Sequence, residues 1–147
     1  MNAMELEQMM LDARQQGDVS GLMAQIPYAR LIGMDMALDE SGAPLFLLPF
    51  QQKNIGNMAL PALHGGVVGG FLENSAIVHL MWTRASTQMP KTIDFCVDYL
   101  RSARAVDTYA RCEVTRQGRR IAHVTATCWQ KDPAEPVAVA RVHFLLT

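Results

Sequence analysis

Apolar residues recur along the chain with two different spacings, and the change from one to the other divides it. Over Glu5–Gln16, Leu6, Met9, Met10 and Ala13 stand at helical spacing and Gly17 follows as a stop, which predicts an N-terminal helix. A second short helix is expected around Leu22–Gln25, ended by Pro27. Leu31–Leu38 and Pro44–Phe50 read as strands, and the turn-forming Asp39-Glu40-Ser41-Gly42 between them predicts a hairpin. Residues 51–63 read as a loop. From His64 to about Arg84 the residues Val67, Val68, Phe71, Leu72, Ala76, Ile77, Leu80 and Met81 are apolar nearly all round, the pattern of a long helix wrapped by other structure.

The last third alternates. Ile93, Phe95, Val97 and Tyr99 share one face of a strand, and Val106, Thr108, Ala110, Cys112 and Val114 share one face of the next. After a turn at Gln117-Gly118, Ala122, Val124, Ala126 and Cys128 line a third strand, and past Asp132-Pro133, Ala138, Ala140, Val142, Phe144 and Leu146 line a fourth. Period-two alternation with short turns predicts antiparallel strands with one buried face. That face is rich in alanine, which leaves room for a helix to lie on it. The expected fold class is α+β: an antiparallel sheet of about six strands around one long central helix, in a single domain over 1–147, with residues 1–28 as an N-terminal helical extension.

Composition narrows the chemistry. Half the residues are hydrophobic and 18% are charged, which excludes a disordered chain, and a net charge of −1 gives no basic surface for nucleic acid. Three cysteines (Cys96, Cys112, Cys128) form no C-x-x-C pair, which speaks against a disulfide framework or a zinc site and fits a reducing cytoplasm. The acidic N-terminal segment does not read as a signal peptide, and no window reaches the roughly 18 apolar residues of a membrane span. The four histidines (64, 79, 123, 143) lack metal-ligand spacing, so His79 and His143 read as structural and the expectation is no metal and no membrane partner.

Candidate chemistry concentrates in PALHGGVVGGFLENSA, residues 61–76. Glycine inside a helix costs about 1 kcal/mol relative to alanine, yet four occur here. The first N–H groups of a helix lack internal partners and sit at the positive end of its dipole. Gly65 and Gly66, after His64, place such groups there with no side chain in the way, the chemistry of an oxyanion hole. Gly69 and Gly70 read instead as positions of close packing. Glu73, an acid among Phe71, Leu72, Ala76 and Ile77, has a catalytic role, or lies on an exposed part of the helix, or has a structural arginine partner. It follows His64 by nine residues, which in a regular helix is the opposite side and about 13 Å of rise. One chain cannot bring the Gly65 N–H and the Glu73 carboxylate onto one carbonyl, whereas two antiparallel helices across a twofold axis can. If both are catalytic, a homodimer with two composite sites is expected.

The run L-H-G-G-x-x-x-x-x-L-E-N-S-A, followed by T-I-D-F-x-V-D-Y-L-R-x-A and V-x-R-Q-G-R-R-I-A, resembles the hotdog-fold acyl-CoA thioesterases of the PaaI-like and 4-hydroxybenzoyl-CoA group over about residues 30–147. The resemblance implies a six-stranded sheet around the central helix and a double-hotdog homodimer that pairs into a homotetramer. It also implies an acyl-CoA substrate, with CoA as part of that substrate and no separate cofactor. Position by position, it implies that Gly65 supplies the oxyanion-hole N–H with His64 shaping the turn. Glu73 stands at the catalytic carboxylate, as general base or nucleophile, where many PaaI-like members carry aspartate. Thr92 matches a water-positioning hydroxyl. Asn57 matches an upstream amide, with a spacing one residue long that leaves Asn54 or Gln51 as substitutes. Gly66 belongs with the substrate-binding groups, and Arg101, Gly118, Arg119 and Arg120 are candidates for the CoA phosphates.

Two other readings compete with hydrolysis of an acyl-CoA to acid and CoA. A hotdog hydratase or dehydratase would resemble a different His and acid spacing, which His64 and Glu73 do not reproduce. A non-catalytic acyl-CoA-binding hotdog protein would keep the fold without the reaction.

Overall fold

The computed structural model describes residues 2–84 and 88–146. Helix α1 spans Ala3–Gln16 and starts earlier than its apolar pattern indicates, because Asn2 caps it. The Asn2 side chain accepts from Glu5 N (3.0 Å) and the Glu5 carboxylate accepts from Asn2 N (2.8 Å), a reciprocal pair that satisfies two otherwise orphaned donors. Leu6, Met10 and Ala13 are buried, as the spacing predicts. The Arg14 guanidinium lies 5.4 Å from the Trp82 ring, tying α1 to the far end of the central helix.

The expected short helix is a 3-10 turn, Met23–Gln25. Pro27 does not merely end it: this residue opens α2 (Pro27–Ile32), where its missing N–H costs nothing. The strand expected from Leu31 is therefore shortened to β1 (Asp35–Leu38), which pairs with β2 (Pro44–Leu48) as a hairpin. Asp39 organises its turn, accepting from Ser41 Oγ (2.6 Å), Ser41 N (2.8 Å), Ala43 N (3.0 Å) and Arg111 Nη1 (2.7 Å). The Ser41 hydroxyl first, then Arg111, hold its carboxyl well below the usual carboxylate range. A depressed folded value stabilises the fold above the unfolded value and loses that contribution as pH falls through the folded one. The Tm deficit of Asp39→Ala relative to the parent should thus be constant from neutral pH down to the ordinary aspartate value of about 3.9 and shrink below it. Thermal melts from pH 7 to pH 2 check this, and a deficit that grows on acidification contradicts it.

Residues 51–63, expected as a loop, contain a 3-10 turn (Gln52–Asn54) and a two-stranded ribbon, β3 (Ile55–Asn57) with β4 (Ala62–Leu63). Helix α3 follows over Gly65–Arg84. Then come β5 (Lys91–Tyr99), β6 (Thr108–Gln117), β7 (Ile121–Trp129) and β8 (Ala138–Leu145). The main sheet has six antiparallel strands in the order β1-β2-β6-β7-β8-β5, the hotdog arrangement that the sequence resemblance implies. Helix α3 lies across β2, β6, β7 and β8. It can approach closely because Ala110, Ala122, Ala126, Cys128, Ala138 and Ala140 pave that face, with Phe46, Phe71 and Phe144 filling the space between.

Two details depart from simple alternation. A bulge between Thr92 and Asp94 drops Ile93 out of register, so Thr92 opposes Phe144 while Asp94 opposes His143, and Ile93 is exposed rather than on the inner face. Val106 likewise precedes β6 and is exposed. Strand β5 is also an edge of the sheet, so Phe95 and Val97 are half-buried and Tyr99 is exposed, not buried as alternation predicts. Among the described residues, no helix is long and apolar enough to cross a membrane.

Candidate active site

The start of α3 is held from below by buried polar bonds. Asn54 is buried, its Nδ2 donating to the Ile32 carbonyl (2.8 Å) while its own carbonyl accepts from His64 N (2.8 Å). Leu63 N donates to the Ala103 carbonyl (2.8 Å), fixing the residue before His64 to the chain beyond β5. Gly56 passes so close that a Cβ there would lie 2.6 Å from His64 Cα. Asn54 therefore acts as a structural bracket, and nothing in its position offers it to a ligand.

Above that bracket the two leading glycines differ. The His64 carbonyl accepts from Val67 N (3.0 Å) and Val68 N (3.1 Å), and His64 Nδ1 accepts from Gly66 N (2.9 Å). The imidazole thus caps its own helix, with the ring proton assigned to Nε2 by that bond. Among the described residues no acceptor takes the Gly65 N–H, so of the two N–H groups expected to be open, the Gly66 one is used internally and the Gly65 one is free. Gly65 borders an open cavity of about 450 Å³, together with Asn57, Leu60, Tyr99, Leu100 and Arg101. Asn57 is exposed and its Oδ1 accepts from Ala59 N (3.0 Å). Arg101 Nη1 donates to the Pro136 carbonyl (2.7 Å).

The later glycines lie at contacts. A Cβ on Gly70 would stand 2.5 Å from the Tyr28 ring of α2, and one on Gly69 would be 3.5 Å from the Tyr99 hydroxyl and 3.8 Å from Phe95. Glu73 follows Gly66 by seven residues and Gly69 by four, in the half-open stripe between α2 and β5. It is half-buried and, among the described residues, makes no hydrogen bond or ion pair, so the structural-arginine alternative has no support. His64 precedes the first helical residue, so the half-turn offset argued from the sequence does not apply to it. The axial separation does: Gly65 and Glu73 are about 12 Å apart along α3.

The remaining candidates lie at the other end of the molecule. Thr92 is half-buried on the inner face of β5, seven residues from Tyr99 and so roughly 20 Å along the strand. Gly118, Arg119 and Arg120 form the β6–β7 turn, where they border an open cavity of about 480 Å³ with Arg116 and His123. That turn lies beside Leu145, which pairs with Lys91 at the start of β5. A single chain therefore groups Asn57, Gly65, Gly66 and Arg101 at one end, Thr92 and the Gly118–Arg120 turn at the other, and Glu73 between them.

The other titratable groups do not join this set. Burial lowers the pKa of His79, which keeps a buried Nδ1 without a partner among the described residues. His143 stacks on His123 at 4.0 Å and lies 3.3 Å from Asp94 on the outer face of the sheet. Desolvation pushes the Cys128 thiol up to about 11 and raises Cys112 further, so neither is a nucleophile at neutral pH. Among the described residues no cluster of His, Cys, Asp and Glu could hold a metal ion.

Sequence patterns place residues 55–145 in the family described as the acyl-CoA thioesterase N-terminal domain. A protein of Chromobacterium violaceum of known crystal structure is 48% identical, over 95% of this chain and 97% of its own, with a TM-score of 0.79. A Bacillus halodurans protein crystallised with CoA superposes with a TM-score of 0.71 at 21% identity, covering 100% of this chain and 96% of its own. Thioesterase superfamily member 2 of Mus musculus gives a TM-score of 0.72 at 15% identity, covering 88% and 95%. At those last two identities the likeness speaks for the fold alone. No curated protein sequence matches the chain.

Proposed function

This chain belongs to the acyl-CoA thioesterase family of hotdog-fold proteins, and on that premise we propose that it hydrolyses an acyl-CoA thioester to a carboxylic acid and free CoA. The observation that carries the reading is the unpaired Gly65 N–H at the start of a 20-residue helix, open to a cavity it shares with Asn57. A thioester carbonyl seated there receives a hydrogen bond that strengthens as its oxygen becomes negative, and one such donor is typically worth about 3–4 kcal/mol. Glu73 is the carboxylate of the reaction. It either takes a proton from water as that water attacks the carbonyl carbon, or attacks the carbon itself to give an acyl-enzyme that water cleaves. In both routes the C–S bond breaks and CoA leaves as the thiol.

The 12 Å between Gly65 and Glu73 makes the site composite. Strand β5 is a free edge carrying exposed Ile93 and Tyr99, exposed Leu100 follows it directly, and the α3 stripe beside it is only half covered. Exposed apolar edges of this kind are the surfaces that a second copy pairs with. A twofold partner running antiparallel across β5 and α3 sets its own Glu73, Thr92 and Gly118–Arg120 turn near this chain's Gly65, which reunites the candidates a single chain separates. The arginines then face the CoA phosphates from the partner, and Arg101 faces them from this chain.

The test is CoA release, followed with a thiol reagent, from short-chain, long-chain and aromatic acyl-CoAs. Release from at least one class at enzymatic rates is expected. Binding without release from any class assigns the chain to the non-catalytic acyl-CoA binders.

A further inference from the structure

Tyr99 has so far counted only as part of the exposed β5 edge, yet its hydroxyl makes a short bond to the oxyanion-binding turn. Its Oη donates to the Gly65 carbonyl at 2.6 Å. That carbonyl and the Gly66 N–H belong to one planar peptide unit. The other side of the unit is also held, because Gly66 N donates to His64 Nδ1 at 2.9 Å. The Gly65–Gly66 peptide is thus gripped at both ends, by a tyrosine from β5 and by the imidazole before the helix.

We propose that Tyr99 is a positioning residue for this turn, fixing the Gly65–Gly66 peptide so that the free Gly65 N–H keeps its aim into the cavity. The inference rests on the thioesterase reading for its catalytic consequence, though not for the geometry. Two consecutive glycines have the greatest backbone freedom of any dipeptide, and the first turn of a helix is where it frays. An oxyanion hole built there needs an outside restraint, since a shift of about 1 Å can cost a hundredfold in rate.

The surroundings fit a bond that holds, as distinct from a ring that merely fills space. Within one chain Tyr99 is 53% exposed, so packing inside the protomer does not account for its place. The hydroxyl lies over the Gly65–Gly69 face of the helix, where a Cβ on either glycine would meet it only at van der Waals contact, 3.4 and 3.5 Å. Its own backbone is firm: Tyr99 pairs with Ala138 across β8, and the next residue, Leu100, donates to the Val137 carbonyl at 2.8 Å. The phenol proton is committed to the Gly65 carbonyl, which assigns Tyr99 to alignment and leaves proton transfer to Glu73. Donation to that carbonyl also polarises the Gly66 N–H and tightens its bond to His64.

Tyr99→Phe removes the hydroxyl and keeps the ring. The expected result is a kcat lowered roughly fivefold to tenfold, the worth of about one hydrogen bond, with KM within error of the parent and Tm lower by a few degrees at most. In ¹⁵N–¹H spectra the Gly66 amide proton should move upfield as its bond to His64 loosens. A kcat within twofold of the parent overturns the proposal. So does a loss seen only in KM, which would make Tyr99 a substrate contact, or an unmoved Gly66 amide. If the parent protein releases no CoA from any thioester, it is the thioesterase reading that fails. The amide shift then still decides whether Tyr99 holds the turn.

Discussion

Glu73→Gln is expected to leave the fold and acyl-CoA binding intact and to lower kcat by about 10³-fold, within the usual span of general acid–base catalysis. Glutamine keeps the size of the side chain and can neither accept a proton from water nor attack a thioester. No folded-state interaction is lost with the charge, because Glu73 makes no hydrogen bond or ion pair among the described residues. The Tm should stay within a degree or two, in contrast to the usual outcome of altering a paired charge on a central helix. Glu73→Asp separates reach from charge. Shortening the side chain by one methylene withdraws the carboxylate from the carbonyl that, in the proposed dimer, another subunit's Gly65 holds, so activity intermediate between parent and glutamine is expected. Thiol-release kinetics with melting curves on the same samples check all three. Full activity in Glu73→Gln would move the catalytic carboxylate elsewhere.

The parts of this picture that were readable in the sequence share a physical cause. Strands β7 and β8 bury one face completely, and their Ala, Val, Cys and Phe alternate without interruption. Strand β5 has the same pattern but lies at an edge, so sterics do not force its inner residues under cover and a bulge at Ile93 goes unsignalled. Helix α3 was legible because apolar positions all round leave few alternatives. Its first turn was legible only in part: glycines announced open N–H groups, but the His64 ring claims one of them, and a side chain folding back on its own helix has no periodic signature. Tyr99 and Gly56 were missed for a related reason. Tyr99 touches α3 and Gly56 touches the His64 that precedes it, each from a separate strand, and neither local spacing nor composition encodes that approach. Alternation did place Tyr99 on the inner face with Phe95, the one signal from which its contact with the helix was open to inference.

Gly56→Ala should damage stability and catalysis together, and the damage should be repairable by a second subunit. A Cβ at position 56 would stand 2.6 Å from His64 Cα and 2.8 Å from His64 Cβ. The first of these is backbone, so no rotamer change relieves it and the turn entering α3 must shift. Overpacking of this kind typically costs about 1–3 kcal/mol, which a denaturant titration measures. The shift falls on the residue that precedes Gly65, so kcat should drop by about a hundredfold. Gly56→Ala and Glu73→Gln then break different halves of the proposed site, the first its oxyanion turn and the second its carboxylate. If each site takes one half from each protomer, a mixed dimer has one site carrying both lesions and one site carrying none. Unfolding and refolding the two variants together should therefore restore roughly a quarter of parent activity, since about half the dimers are mixed and each has one intact site. Sites confined to single chains would give no recovery at all, because every chain in the mixture carries a lesion. Recovery thus tests the arrangement across the twofold axis independently of which acyl group the enzyme prefers.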